Sequence, residues 1–185
     1  MVELDEDFVS ILISFLEGAG NAGEVLNDYL EDHSQPRLVP VEGESTAKLA
    51  EIGGRLAFVV NTLLPAELAC SLACDFSQHA IEKSSLDSKV LKQAKTIYKQ
   101  LEDFNKNPDS TFEDEKQLMA AANKFLMAAW KSDGSPDAGA AWSVWATVMA
   151  KPGNVAKSAQ GVSKDEFDWQ IDHLKKQLQH SAGMI

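Results

Sequence analysis

Nearly every apolar pattern in this chain repeats at 3.6 residues rather than at 2, so the sequence is committed to helices. Phe8, Ile11, Leu12, Phe15 and Leu16 fall at i, i+3, i+4, i+7 and i+8, one face of a helix. Asp5, Glu6 and Asp7 are expected to occupy its first turn, where carboxylates suit the positive end of the helix dipole. Gly18, Gly20 and Gly23 end it, and Val25, Leu26, Tyr29 and Leu30 predict a short second helix. Residues 33–44 contain two prolines and read as an extended connection.

A third helix follows on Leu49, Ile52, Leu56, Val59, Val60 and Leu63, interrupted by Gly53-Gly54, which suits a close backbone approach. Pro65 marks the start of a fourth, apolar almost all round over 66–81 and therefore expected at the centre of its domain. The fifth places Val90, Ala94, Ile97, Leu101 and Phe104 on one side, with Lys89, Lys92, Lys95 and Lys99 over the remainder. Later starts carry explicit signals. Ser110 to Glu113 and Ser163 to Glu166 match the capping box, and Ser135-Pro136 puts a cap residue before a first-turn proline. The helices that follow present Leu118, Ala122, Phe125 and Leu126, then Trp142, Trp145 and Met149, then Phe167, Ile171, Leu174 and Leu178, with Pro152-Gly153 breaking the seventh segment. The fold class expected is all-α, an antiparallel bundle or short solenoid of seven to eight helices. An acidic segment (1–44) and a main helical domain (45–185) are expected to form one compact unit.

Charge is distributed unevenly over that scaffold. Eleven of the first 44 residues are Asp or Glu and only Arg37 is basic, so this stretch carries −10 of the total −11. First-turn helix chemistry accounts for Asp5, Glu6 and Asp7, but not for so complete a lack of Lys and Arg. The bias disfavours nucleic acid and anionic membrane surfaces as ligands and favours a basic protein partner. The candidate interface comprises Asp5, Glu6, Asp7, Glu24, Asp28, Glu31 and Asp32. It also includes Trp130 and Trp169, which lie near helix ends or beside polar residues, because exposed Trp is enriched at interface hot spots. Trp142 and Trp145 share a face and read as core.

Chemistry-bearing clusters are sparse. Cys70 and Cys74 lie about 40° apart on the fourth helix, but structural zinc needs a second pair, so two buried structural thiols are expected. Asp75 and His79 form an i, i+4 pair in which the carboxylate could orient the imidazole. Such a pair serves either a polar helix crossing or an acid/base or metal site. His33, His173 and His180 lack ligand spacing, so no catalytic residue, metal ligand or cofactor is expected. Nucleotide-binding signatures are absent. A helical metal-dependent hydrolase using His79 and Asp75, or a homo-oligomer pairing an apolar helix face, remain as alternatives. The N-terminus lacks the basic region of a secretory signal, and no stretch approaches membrane-spanning length, so a cytoplasmic location is expected.

The segment Ala73 to Ile81, with Asp75, Ser77 and His79 in a D-x-[AS]-x-H pattern, resembles a family of helical bacterial immunity proteins associated with polymorphic toxin systems. The similarity continues through an amphipathic helix (88–104), Ala-rich segments at 120–122 and 138–141 and a closing helix with Trp169-Gln170. The acidic N-terminal segment has no counterpart in that pattern. The resemblance implies binding and neutralisation of a cognate toxin, without catalysis, with Asp75 and His79 as marked positions.

Overall fold

The computed structural model describes residues 4–33, 54–130 and 135–184. Among them every regular element is helical: α1 (Glu6–Glu17), α2 (Ala22–Asp32), α3 (Gly54–Phe58), α4 (Ala66–Lys83), α5 (Ser88–Lys106), α6 (Phe112–Ala129), α7 (Pro136–Val148), α8 (Pro152–Ala159) and α9 (Glu166–Ser181). A π-helical stretch, Val59–Leu63, continues α3 and closes with Leu64 N–H donating to Val59 O at 3.3 Å. The expected all-α architecture is therefore present. The 34–44 part of the connection and the Leu49–Gly53 start of the third helix lie outside the described residues.

Two compact units divide the chain, residues 1–66 with 168–185, and residues 67–167. In the first, α1 and α2 form a helical hairpin. Asp5 caps α1 by accepting from Phe8 N–H at 2.8 Å, and the predicted stripe buries Phe8, Val9, Leu12, Phe15 and Leu16. Gly18 ends the helix in the left-handed region at φ 73°. The Arg55 guanidinium donates to Phe15 O at 3.2 Å, placing a cation on a last-turn carbonyl that also accepts from Gly18 N–H at 3.1 Å. α2 adds Leu26 and Leu30, both fully buried. Burying each such side chain contributes roughly 1.5–3 kcal/mol.

The second unit is a run of helices, α5 against α6, α6 against α7 and α7 against α8. Its core gathers Ile81, Leu86, Ile97, Leu118, Phe125, Val144 and Val162 with a lining of buried alanines. Those alanines allow close helix approach. A Cβ on Gly139 of α7 would sit 2.9 Å from Ser158 O on α8, so only glycine fits there. The break expected near Pro152 lies between α7 and α8, where Ala150 takes φ 50°.

Three local expectations are corrected. The helix at 112 is capped by Thr111 with Asp114, one residue later than the Ser110–Glu113 box. Ser110 Oγ instead donates to Phe104 O at 2.8 Å. The Ser163–Glu166 box does not open a helix either, because α9 begins at Glu166, whose side chain is engaged elsewhere. Finally, α4 is not surrounded: Glu67, Cys70, Ser71, Gln78 and Glu82 form an exposed strip, and Cys70 carries an exposed rather than buried thiol. Small residues such as Ala, Ser and Cys read as apolar in a helical pattern but tolerate water.

Candidate functional site

In the first unit the hairpin brings part of the N-terminal excess of acid together at one end. Because α1 and α2 are antiparallel, the start of α1 meets the end of α2, and Tyr29 OH lies 3.4 Å from Asp5 Oδ2, a long contact. Phe8, Tyr29 and His33 stack in series beneath this end, with centroids 5.0 and 4.1 Å apart. His33 is exposed and its Nδ1–H donates to Tyr29 O at 2.8 Å. Around them Asp5, Glu6, Asp7, Asp28, Glu31 and Asp32 are all exposed, as is Glu24 at the opposite end of α2.

Little basic charge offsets these groups. Glu17 meets Lys175 Nζ at 2.5 Å. Among the described residues, Glu6, Asp7, Glu24, Asp28 and Asp32 have no Lys or Arg within ion-pair range. The two halves of the cluster have different physical standing. Acids at the start of α1 stabilise that helix. Asp28 and Asp32 near the C-terminus of α2, whose last turn contains no basic residue, face the negative end of the dipole. Asp32, in the last turn, costs on the order of 0.3–1 kcal/mol there. Helix stability does not explain them.

In the second unit, α4 carries the Asp75-x-Ser77-x-His79 segment. Nδ1–H of His79 donates to Glu166 Oε2 at 2.8 Å. The imidazole is 18% exposed and the carboxylate fully buried. A buried carboxylate from the first residue of α9 thus orients the ring. Sequence reading missed it because 87 positions intervene; the Glu166 it assigned to a cap was the only available signal.

Ser77 is fully buried and lies in a hydrogen-bonded series. Tyr98 OH donates to Ser77 Oγ, which lies 3.0 Å from Ser143 Oγ, and Ser143 Oγ donates to Ala140 O at 2.7 Å. Since the Ser143 proton is committed to Ala140, Ser77 donates to Ser143, and each serine hydroxyl has one donor role and one acceptor role. Burial drives the Tyr98 phenol well above its usual pKa, with the Ser77 hydrogen bond opposing the shift. The arrangement keeps Tyr98 neutral and gives the core a satisfied polar join between α4, α5 and α7.

Cys74 faces a cleft of about 610 Å³ between α4 and α5, floored by Ile81, Tyr98 and Leu101 and rimmed by Glu82, Lys95, Lys99, Glu102 and Lys106. Burial, followed by the charge of Asp75, raises its thiol to about 11. The thiol is therefore a poor nucleophile at neutral pH. Among the described residues no group of three His, Cys, Asp or Glu is placed to hold a metal ion. His173 stacks on the half-buried Trp169 at 4.9 Å, and His180 is exposed in the last turn of α9.

Trp130, Trp142 and Trp145 form an edge-to-face series, with centroids 5.5 and 5.2 Å apart, packed on the core while remaining half-buried. Trp145 Nε1–H donates to Asn123 Oδ1 at 2.6 Å, and Lys151 Nζ lies 5.3 Å from its ring centroid. The pair read as core and the Trp read as interface are one partly exposed cluster. Beside it Met127 is 75% exposed. No helix among the described residues is long and apolar enough to cross a membrane. The sequence matches no family model, no curated protein and no solved structure.

Proposed function

We propose that this chain is a non-catalytic, cytoplasmic binding protein that docks a basic protein partner on the acidic end of the α1–α2 hairpin. The observation that supports it most is the convergence of Asp5, Glu6 and Asp7 with Asp28, Glu31 and Asp32, joined through the Tyr29–Asp5 contact. Asp32 among them sits where it weakens its own helix, a cost that a binding role would explain. Such a field raises association rates by roughly 10–10³, with steep loss as salt rises.

The Asp75, Ser77, His79 pattern takes the proposal one step further, to an immunity protein that masks a cytotoxic effector. A nuclease fits as a target, because its cleft must be basic to hold phosphates. In this reading Ser77 and His79 serve the scaffold through Tyr98, Ser143 and Glu166, and contact with the effector belongs to the first unit.

The test is co-expression with the product of the adjacent gene, since an immunity gene normally neighbours its toxin. The wild-type chain should co-purify with that product. A D28K/D32K variant, shown to be folded by circular dichroism, should not. Retention by the variant would remove the acidic end from the interface, and no co-purification of the wild type would remove the immunity assignment.

A further inference from the structure

The second unit carries a surface of opposite character. Between α5 and α6 runs a groove of about 400 Å³ with Ile97, Ala121 and Phe125 along its floor. Lys89, Lys92 and Lys124 stand on its rim, its remaining lining is Gln and Thr, and no carboxylate lines it. The lysines are exposed, and among the described residues none has an acidic partner within ion-pair range. In a chain of net charge −11 this is an unusual local balance. Residues 88–101 hold four Lys and no acid. The 610 Å³ cleft on the other side of α5 differs, because there Glu82 and Glu102 offset the lysines and Glu102 pairs with Lys106.

Geometry narrows the occupant. From Lys89 to Gln100 the groove follows α5 for about 16 Å, three turns of helix. A trough between two helices, apolar below and charged above, matches an amphipathic helix laid along it, its apolar stripe on the floor and its flanks against the rim. The unpaired ammonium groups select acidic flanks. Lysine stems also extend apolar cover along the groove walls while the charged heads stay in water. The groove is open along its length, which suits a helix better than an enclosed acyl chain.

We infer that the α5–α6 groove is a docking site for an acidic amphipathic helix of a partner protein. It uses no residue of α1 or α2 and is independent of the function proposed above. D28K/D32K should leave it unchanged.

The probe is a fluorescent 18-residue peptide with a leucine stripe and glutamate flanks, titrated into the full chain by anisotropy, beside a counterpart with lysine flanks. The acidic peptide should bind, the basic one should not, and K92E/K124E should weaken binding on the order of tenfold. Both substitutions are on exposed lysines, so the fold should persist. A121W, which fills the floor, should block the peptide with the lysines intact, and its circular dichroism spectrum reports its folding. Absence of binding, equal affinity for both peptides, or indifference to K92E/K124E would overturn the inference. So would self-association abolished by K92E/K124E in sedimentation, which makes a second copy the occupant. Tighter binding to phosphatidylglycerol vesicles through the same lysines would assign the groove to a lipid surface instead.

Discussion

His79 and Glu166 lie 87 positions apart, yet the imidazole Nδ1–H donates to the buried carboxylate oxygen at 2.8 Å. Removing one member of such a pair leaves the other desolvated without its partner, which typically costs about 3–5 kcal/mol. H79A and E166A should each lower unfolding free energy by about 3 kcal/mol in urea denaturation, and the double variant should cost less than their sum. E166Q, which keeps an acceptor, should be milder than E166A. Additive losses would show that the two side chains act separately.

The carboxylates near the C-terminus of α2 should behave in the opposite sense. Asp32 opposes the helix dipole in the last turn of α2, so D32N should stabilise the fold by roughly 0.3–1 kcal/mol at low salt, and D28N, a turn further in, should change it less. The same substitutions should slow association with a basic partner. A gain in midpoint with a loss in on-rate is the signature of residues held for binding; a loss in both would assign them to the fold.

The two thiols should separate under alkylation. Cys70 is exposed, whereas the Cys74 thiol is pushed up to about 11 by burial and by Asp75. At pH 8 only about one part in a thousand of Cys74 is thiolate. Iodoacetamide with peptide mapping should label Cys70 first. Cys74 labelling should rise about tenfold per pH unit as far as the folded state persists. Equal rates at pH 8 would contradict the described environment of Cys74.

Packing of α7 on α8 rests on Gly139, where an added Cβ would come 2.9 Å from a backbone oxygen that cannot swing away. G139A should destabilise by about 1–3 kcal/mol. Ala150, at φ 50°, occupies a region that costs an L residue roughly 1 kcal/mol, so A150G should be neutral or stabilising. Thermal unfolding of the two variants should move in opposite directions.

Acid should loosen α6 through its cap. Hydrogen bonds from the Thr111 hydroxyl and backbone N–H hold Asp114 below the ordinary 3.8 of an aspartate. A carboxyl depressed in the folded state adds stability above its unfolded pKa, and that stability fades as pH falls through the folded value. D114A should therefore lower stability at pH 6 and make it less sensitive to pH below about 4. An unchanged acid limb would show that the cap contributes nothing.

Much of this architecture was legible in the residues, for reasons that can be named. The stripe at Phe8, Leu12, Phe15 and Leu16 is buried as its period requires, and Ser135-Pro136 caps α7 as the pair predicts. These are local effects, decided within one or two turns. Long-range choices were not legible. Asp75 is the obvious helical neighbour of His79, but that tertiary packing also brings Glu166 to the ring could not be read from spacing. Along the exposed strip on α4, Glu67, Gln78 and Glu82 were legible as polar, whereas the exposure of Cys70 beside them was not. The acid excess was plain in the composition, but its gathering at one end depends on the α1–α2 hairpin. The lysines of α5 were visible as a polar face, whereas their groove required α6 beside it.

Stopped-flow association of the chain with the adjacent gene's product, at 50 and 300 mM salt, tests the acidic docking end most directly. The account predicts an on-rate that falls on the order of tenfold or more with salt, and that D28N/D32N lowers at 50 mM salt. A rate indifferent to both salt and substitution would contradict it.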